Sequence, residues 1–303
     1  MYPLARRAGF PGLDPLTPHF TVLSLPAVSL ANCLKGILCT PNCLSRTSRS
    51  SCYIKVMRVA VLADVHANLP ALEAVERDFR ELGIASVWSL GDAVGYGAEP
   101  YACLQMLADL DAVLIAGNHE QAACDLAEAN GFNSAAAHAI RWTRDTLSPD
   151  TRSGLCDLPV NASPHPGVFL FHGLPANAAG YLRTEETAQL VFDHLTDRDP
   201  RIRVAFFGHT HRPMIFTYLT GRPVRMFEPV KELILAPGRR YLINPGSVGQ
   251  PRNGDPSAQY IIFDTEKGHI SFRKVSYDID AAQERILQAG LSPSLAARLT
   301  QGI

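Results

Sequence analysis

From residue 57 onwards, short apolar runs alternate with longer amphipathic stretches. Residues 58–63 form a compact apolar run that ends at Asp64, a pattern typical of a strand buried on both faces. Asn68 and Pro70 then give a helix start signal, and apolar residues follow at spacings of three and four until Gly83. This segment therefore predicts a buried strand followed by an amphipathic helix.

The same strand and helix unit repeats along the next part of the chain. A predicted strand at 87–90 ends in Gly91 and Asp92, a helix begins near Pro100, and another strand follows at 112–116. Parallel strands need helical crossovers, so this alternation predicts an α/β core with its sheet covered on both faces. Two further helical stretches follow, at 120–128 and 134–146.

Beyond residue 168 the pattern changes to strands with few helices between them. The predicted strands are 168–171, 203–207, 214–218, 233–235, 241–243, 258–264 and 269–277. Their density suggests a second, more antiparallel sheet packed on the first, and residues 278–301 predict two short helices. The pattern as a whole predicts an α/β protein built as a two-sheet β-sandwich flanked by helices.

Charge separates the chain into two parts of different composition. The 303 residues carry a formal net charge of -1, but residues 1–56 hold six basic residues and one acid, together with four of the seven cysteines. They show no periodic element. We therefore predict that residues 1–56 are an N-terminal extension, either disordered or wrongly included ahead of a true start at Met57, and that residues 57–303 are the functional domain.

Cysteine usage and hydropathy bear on the compartment. The cysteines of the N-terminal extension lack the C-x-x-C spacing of zinc sites, and an odd total provides no disulfide framework. The apolar stretch 21–31 is broken by Pro26 and is too short to span a bilayer. We expect a cytoplasmic protein without a membrane partner, and the even charge balance predicts no stable complex with nucleic acid.

Polar clusters follow the predicted strands at their carboxyl ends, where ligands gather in α/β sheets. Taken singly, each cluster is more simply read as a turn or a surface group. Together they would bring carboxylates, an amide and several imidazoles into one place, which an apolar core tolerates only if cations compensate. The clusters are D-x-H at Asp64 and His66, G-D at Asp92, G-N-H-E at Asn118 to Glu120, His172, and G-H-T-H at His209 and His211.

In this order, the clusters resemble those of the calcineurin-like metallophosphoesterases, in particular the small bacterial and archaeal phosphodiesterase-type members. The resemblance covers residues 57–277, and the segments 95–97 and 244–252 are similar to that subgroup. It implies a four-layer α/β/β/α fold. It also implies a phosphoesterase in which two divalent metals, Mn first and Fe, Zn, Ni or Co as alternatives, hold a bridging hydroxide that attacks phosphorus.

The resemblance assigns roles residue by residue. Asp64, His66 and His211 would hold one metal, Asn118, His172 and His209 the other, and Asp92 would bridge them. His119 would be the catalytic residue that faces the substrate and protonates the leaving oxygen. Asn118, His119 and Arg252 would contact the substrate, a small phosphomonoester, phosphodiester or nucleotide.

Several alternatives stay open at the level of sequence. Ala67 stands where many relatives have glycine, and Asp92 is not followed by the Asp-Arg-Gly of the protein phosphatases, which argues against a phosphoprotein substrate. Glu120 either orients His119 or caps its helix, and Arg252 binds phosphate or forms a structural ion pair. The chain could also be a non-catalytic metal-binding scaffold or interaction module of the same fold, and it could form a homo-oligomer.

Overall fold

The computed structural model describes residues 58–303; the predicted extension and its boundary at Met57 lie outside the described residues. The strands are β1 (Arg58–Leu62), β2 (Ser86–Ser89), β3 (Val113–Leu114), β4 (Asn161–Ala162), β5 (Val168–Phe171), β6 (Val204–Phe206), β7 (Met214–Leu219), β8 (Arg225–Phe227), β9 (Glu232–Ile234), β10 (Arg239–Asn244), β11 (Ala258–Asp264) and β12 (His269–Val275). The α-helices are α1 (Leu69–Glu81), α2 (Pro100–Asp109), α3 (Asn118–Cys124), α4 (Ser134–Thr146), α5 (Pro149–Cys156), α6 (Glu185–Arg198), α7 (Ile279–Gln288) and α8 (Pro293–Gln301), and a 3₁₀ turn spans Leu126–Gly131.

The strands form two six-stranded sheets, and each sheet is mixed. The first has the order β3-β2-β1-β11-β12-β9, and the second has the order β4-β5-β6-β10-β7-β8. In the first, β1, β2 and β3 are parallel and the rest antiparallel; in the second, β5, β6 and β10 are parallel. The prediction that the second sheet is the more antiparallel one is wrong, because the later strands extend both sheets and each sheet contains two parallel and three antiparallel strand pairs.

The two sheets pack face to face, and helices cover their outer faces. In β1, Val59 and Val61 face the layer between the sheets, while Ala60 and Leu62 pack under the helices. Phe206 bridges the inner layer, since its ring lies 5.3 Å from that of Phe263 on the opposite sheet. The two-sheet sandwich flanked by helices is therefore confirmed, with the second sheet, rather than helices, covering one face of the first.

Helix α1 forms where the sequence predicts it. The Asn68 side chain accepts a hydrogen bond from Ala71 N at 3.2 Å and caps the helix. The same side chain donates to Gly249 O at 2.9 Å, which ties the helix start to a distant loop. Leu82, expected in the buried stripe, lies at the C-terminal end of the helix and is 37% exposed.

Helix α6, which the sequence reading missed, is the crossover between parallel strands β5 and β6. Thr184 caps it by accepting from Thr187 N, and Ala188, Val191, Phe192 and Leu195 are buried at helical spacing. The threonine cap followed by this periodicity was the signal that could have predicted it.

A disulfide joins Cys124 at the end of α3 to Cys156 at the end of α5. This corrects the expectation of no disulfide, which rested on the odd cysteine total and could not show that helix packing brings these two thiols together. Within residues 58–303, no helix has both the length and the apolar character needed to cross a bilayer.

Candidate metal centre

The predicted site residues lie together at the carboxyl ends of five parallel strands from both sheets. Strands β1, β2 and β3 of the first sheet and β5 and β6 of the second all end at this edge. The seven proposed ligands, which are between 0% and 7% exposed, are Asp64, His66, Asp92, Asn118, His172, His209 and His211. The sandwich therefore buries a polar cluster where its two sheets meet.

The loops that carry these side chains have unusual backbone conformations. Of the eight non-glycine residues with positive φ in residues 58–303, five are proposed ligands: Asp64, His66, Asp92, His209 and His211. Ala67, at the position where glycine was expected, has φ 52° and lies in the same region. Such conformations cost roughly 1–3 kcal/mol each and persist where surrounding contacts enforce them. Here they turn the chain abruptly at the strand ends.

One group of potential ligand atoms comes from Asp64, His66, Asp92 and His211, all within 4.8 Å of one another. The Nε2 atoms of His66 and His211 are 3.1 Å apart. His211 Nε2 lies 3.8 Å from Asp64 Oδ1, and His66 Nε2 lies 3.7 Å from Asp92 Oδ2. Two imidazole nitrogens and two carboxylates therefore converge on one point.

A second group consists of Asp92, His172 and His209, again within 4.8 Å. His172 Nε2 is 3.1 Å from Asp92 Oδ2 and 3.2 Å from the amide oxygen of Asn118. Asp92 belongs to both groups. A carboxylate that belongs to two ligand groups could contact two neighbouring divalent ions.

Backbone carbonyls fix the orientation of each imidazole. The Nδ1 atoms of His66, His172 and His211 lie 3.0, 2.7 and 2.6 Å from the carbonyl oxygens of Val94, Leu90 and Gln250. A protonated Nδ1 donates these bonds, so the Nε2 lone pair faces the cluster. His209 is reversed, because its Nε2 lies 3.1 Å from Ala179 O. Such outer contacts set the tautomer of metal-binding histidines.

The buried carboxylates and imidazoles of the cluster shift one another's pKa values. Burial, together with the charge of Asp92, raises the pKa of Asp64 to about 7. Burial lowers the pKa of His172, but the charges of Asp92 and Asp64 outweigh it and raise that pKa to about 9. Asp64 Oδ2 is also buried without a hydrogen-bond partner in residues 58–303. The donor set and this orphan oxygen fit divalent cations.

His119 lies beside the metal-ligand cluster rather than within either group. Its backbone N donates to Asp92 Oδ1 at 2.9 Å, and its ring packs against His66, Tyr96 and Phe132. Burial lowers its pKa to about 4. Gly95 makes room for it, because a Cβ there would overlap the Nδ1 atom of His119.

Glu120 caps its helix and holds the Asp92 loop. Its carboxylate accepts from Gly117 N and Asp92 N, both at 2.7 Å, and from Val94 N at 3.1 Å. Burial and the Asp92 charge raise its pKa to about 7, while these N–H donors stabilise the charged form. The contacts favour the capping interpretation and add a tie to the Asp92 loop.

Arg252 borders the cluster without forming an ion pair. Its guanidinium donates to Gln250 Oε1 at 2.8 Å and to the Tyr96 hydroxyl at 3.4 Å, and its Nε is buried without a partner. Within residues 58–303, no carboxylate lies within ion-pair distance of Arg252. The structural ion pair considered from sequence does not form, so both hydrogen-bond partners of this guanidinium in residues 58–303 are neutral groups.

Sequence reasoning missed two aromatic residues of the site. The Tyr181 ring packs on His209 with centroids 4.2 Å apart, and Tyr96 lies against His66 and His119. Tyr96 stands in the quoted glycine-flanked segment, so its position was a signal. Tyr181 follows β5 in an irregular loop, and nothing in its sequence neighbourhood indicates the contact.

Fold and site together define a metal-dependent phosphoesterase, and the comparisons with known proteins agree. Residues 57–268 match the family model of the calcineurin-like phosphoesterase superfamily domain. The chain belongs to this superfamily.

Three relatives illustrate the match. The protein MJ0912 of Methanocaldococcus jannaschii is 33% identical over 247 residues, which are 80% of this chain and 98% of that protein. A metallophosphoesterase from Sphaerobacter thermophilus is 34% identical with a TM-score of 0.69, over 82% of this chain and 100% of its own. The hypothetical protein PH1004 of Pyrococcus horikoshii OT3 shares the fold at 20% identity with a TM-score of 0.67, over 82% of this chain and 99% of its own.

Proposed function

We propose that this chain is a dinuclear metal-dependent hydrolase of small phosphomonoesters or phosphodiesters, nucleotides included. One observation carries the proposal: two groups of buried ligand atoms share the carboxylate of Asp92. A single structural metal would need only one such group. The choice of a phosphate ester as substrate is supported by the superfamily and by the Arg252 guanidinium at the edge of the cluster, which has no carboxylate within ion-pair distance in residues 58–303.

The two ions would be held as the sequence analysis assigns them. Asp64, His66 and His211 would bind one ion, and Asn118, His172 and His209 would bind the other. This donor set of imidazole, carboxylate and amide oxygen admits Mn, Fe, Zn, Ni or Co. The resemblance to the superfamily makes Mn our first choice. When bound, two such ions supply a hydroxide for in-line attack on phosphorus and neutralise the phosphoryl oxygens.

The chain's own residues then position the substrate and move protons. Arg252 would bind a phosphoryl oxygen through its guanidinium, a charge-assisted contact. Asn118 lies at the N-terminus of α3 next to His119 and would contact the same phosphate. His119 would act at the leaving oxygen, while Asp92 Oδ1 holds its backbone N in place.

We also propose a cellular compartment and a set of partners for the enzyme. The enzyme would act in the cytoplasm on small esters, without a stable nucleic acid or membrane partner. Size-exclusion chromatography would test whether it forms a homo-oligomer. The Cys124–Cys156 disulfide points instead to oxidising surroundings. Alkylation of the protein isolated from cells with and without reductant decides between them.

The decisive experiment combines metal analysis with a substrate screen. The protein stripped with chelator and reloaded with Mn²⁺ should bind two ions per chain and hydrolyse p-nitrophenyl phosphate, bis(p-nitrophenyl) phosphate or a nucleotide ester. The stripped protein is the matched control and should be inactive. Two bound ions with no turnover of any ester would favour the non-catalytic scaffold, and a single ion would contradict the dinuclear assignment.

A further inference from the structure

A cavity of about 1140 Å³ opens beside the metal centre, at the edge of the sandwich where β7 and β8 of one sheet face β12 of the other. We call it the edge cavity. The lining residues that matter here are Arg183, Arg212, Phe227, Lys231, Arg252 and Phe272. It exceeds the roughly 300–1,000 Å³ of ordinary small-ligand pockets, and is therefore larger than one phosphate group needs.

Two wall residues of the edge cavity are neighbours of the metal ligands, although none of the seven proposed ligands lines the cavity itself. Thr210, which lies between His209 and His211, is part of its wall, as is Arg252. On the other side, the Arg183 guanidinium lies 3.9 Å from the centroid of the Tyr181 ring, which itself packs on His209. Arg252 borders both the ligand cluster and the edge cavity, so a phosphate ester bound at Arg252 could extend into this space.

The walls carry positive charge that the protein does not neutralise. Two lining cations are paired, Arg273 with Asp78 at 2.7 Å and Lys274 with Asp255 at 2.8 Å. In the described part of the chain, no carboxylate lies within ion-pair distance of the remaining four, Arg183, Arg212, Lys231 and Arg252. Glu228 is the one acidic side chain among the described residues that line the cavity. The unpaired charges can attract more than a single phosphate.

The same walls offer apolar and hydrogen-bonding surfaces. Phe227 is half exposed, and Phe272 lines the cavity from the opposite sheet. Aromatic faces of this kind stack on nucleobases with little base preference. Gln259 and Arg252 add polar side chains to the same wall.

We propose that the edge cavity is a subsite for a nucleotide that carries a phosphate other than the scissile one. The inference rests on the proposed function, since the scissile phosphate would lie at the metals and Arg252. The outer phosphate would meet Arg212 and Lys231, and the base would stack on Phe227. A nucleoside polyphosphate and a short oligonucleotide share this chemistry, and the experiment distinguishes them.

The test uses three esters that release the same p-nitrophenol from the Mn-loaded full chain. They are bis(p-nitrophenyl) phosphate, thymidine 5′-(p-nitrophenyl phosphate), and the latter compound with an added 3′-phosphate. Arg212→Gln should lower kcat/KM for the third ester about tenfold, a low-end value for a hydrogen bond between charged groups. It should change the first less than about twofold. Arg222→Gln, an exposed arginine outside the cavity, is the matched control.

Phe227→Ala tests the proposed stacking of the nucleobase on the Phe227 ring. It should lower kcat/KM about fivefold or more for both nucleoside esters and leave bis(p-nitrophenyl) phosphate unchanged. Inhibition by ADP that exceeds inhibition by the dinucleotide pTpT indicates a polyphosphate, and the reverse order indicates an oligonucleotide. Equal effects of Arg212→Gln on all three esters would overturn the subsite, as would a Phe227→Ala variant that dissociates an oligomer, which would make the cavity a contact between copies.

Nucleotide binding, measured without turnover, tests the subsite independently of the proposed hydrolase activity. If the wild type hydrolyses no ester, calorimetry with ADP and pTpT still reports on the edge cavity. Binding that Arg212→Gln weakens about tenfold while Arg222→Gln does not would keep the subsite and discard the hydrolase. Failure of the wild type to bind either nucleotide would discard the subsite, even if small esters are turned over.

Discussion

Replacing His119 with alanine tests the chemistry separately from the metal centre. The ring lies next to the ligand cluster, but in neither ligand group, so the variant should still bind two metal ions. Without metal ions or substrate, this imidazole is neutral at pH 7, because burial lowers its pKa to about 4. A role as proton donor therefore requires the substrate to restore the proton.

The free-energy cost of protonating the buried His119 can be compared with the electrostatic attraction of a bound phosphate. A pKa of about 4 disfavours the imidazolium by roughly 4 kcal/mol at pH 7, at about 1.4 kcal/mol per pH unit. A phosphate anion about 4 Å away would return roughly 4 kcal/mol at an effective dielectric constant of about 20. The two values are about equal, so we expect roughly half of the His119 imidazole to be protonated at pH 7 once the phosphate is bound. It would then give that proton to the leaving oxygen.

The assay compares two leaving groups. His119→Ala should lose about 10²–10⁴-fold in kcat towards alkyl or sugar phosphate esters, whose alkoxide needs a proton. It should retain a larger fraction towards p-nitrophenyl esters, whose phenolate leaves without one. His138→Ala, an exposed histidine on α4, is the control and should behave as wild type. Equal losses on both esters would refute proton donation, and loss of metal would make His119 a ligand.

Three further predictions concern charge and stability. Asp92→Asn should remove bound metal and lower turnover by more than about 10²-fold, because the shared ligand loses its charge. Asp197→Asn on the surface of α6 is the control and should do neither. Full metal occupancy with normal turnover in Asp92→Asn would exclude Asp92 as the bridging ligand. Metal binding at pH 7 should release about one proton from His172, because its pKa of about 9 keeps it protonated until a metal ion displaces the proton. Metal affinity should therefore rise up to about tenfold per pH unit towards pH 9. Calorimetry in buffers of different ionisation enthalpy measures the proton release, and its absence would contradict the prediction. Cys156→Ser should lower the free energy of unfolding by about 3.7 kcal/mol, given the 32-residue separation from Cys124. Denaturant unfolding should show the same loss when the wild type is reduced. Equal stability of the variant, the reduced protein and the oxidised protein would rule out the disulfide.

The elements of the first half were predictable because their signals are local. The apolar run before Asp64 is long enough only for a buried strand, and the cap at Asn68 marks the helix start. Helix α6 was missed although Thr184 caps it in the same way. Its apolar stripe lies among charged residues on the surface of the second sheet, so burial becomes evident only after the sheet has formed.

The candidate metal ligands could be predicted from the sequence, but the groups that hydrogen-bond to them could not. Each proposed ligand follows a strand, and strand ends meet at one edge of a sheet, so the candidate residues could be named from the order of motifs. The carbonyls that orient the imidazoles, such as those of Val94 and Gln250, have no sequence signature, because any residue can supply one. The pairing of Cys124 with Cys156 likewise depends on how α3 and α5 pack.

The sequence alone determined that this protein has alternating buried strands and helices, with carboxylate, amide and imidazole groups at the strand ends. Those properties follow from local periodicity and residue chemistry. Tertiary structure decided that the later strands extend both sheets, that Asp92 is shared by two ligand groups, and that the edge cavity opens beside Arg252. These depend on contacts between residues more than 100 positions apart, such as His66 with His211. Local sequence patterns do not specify such contacts, because they are selected by the packing free energy of the whole chain.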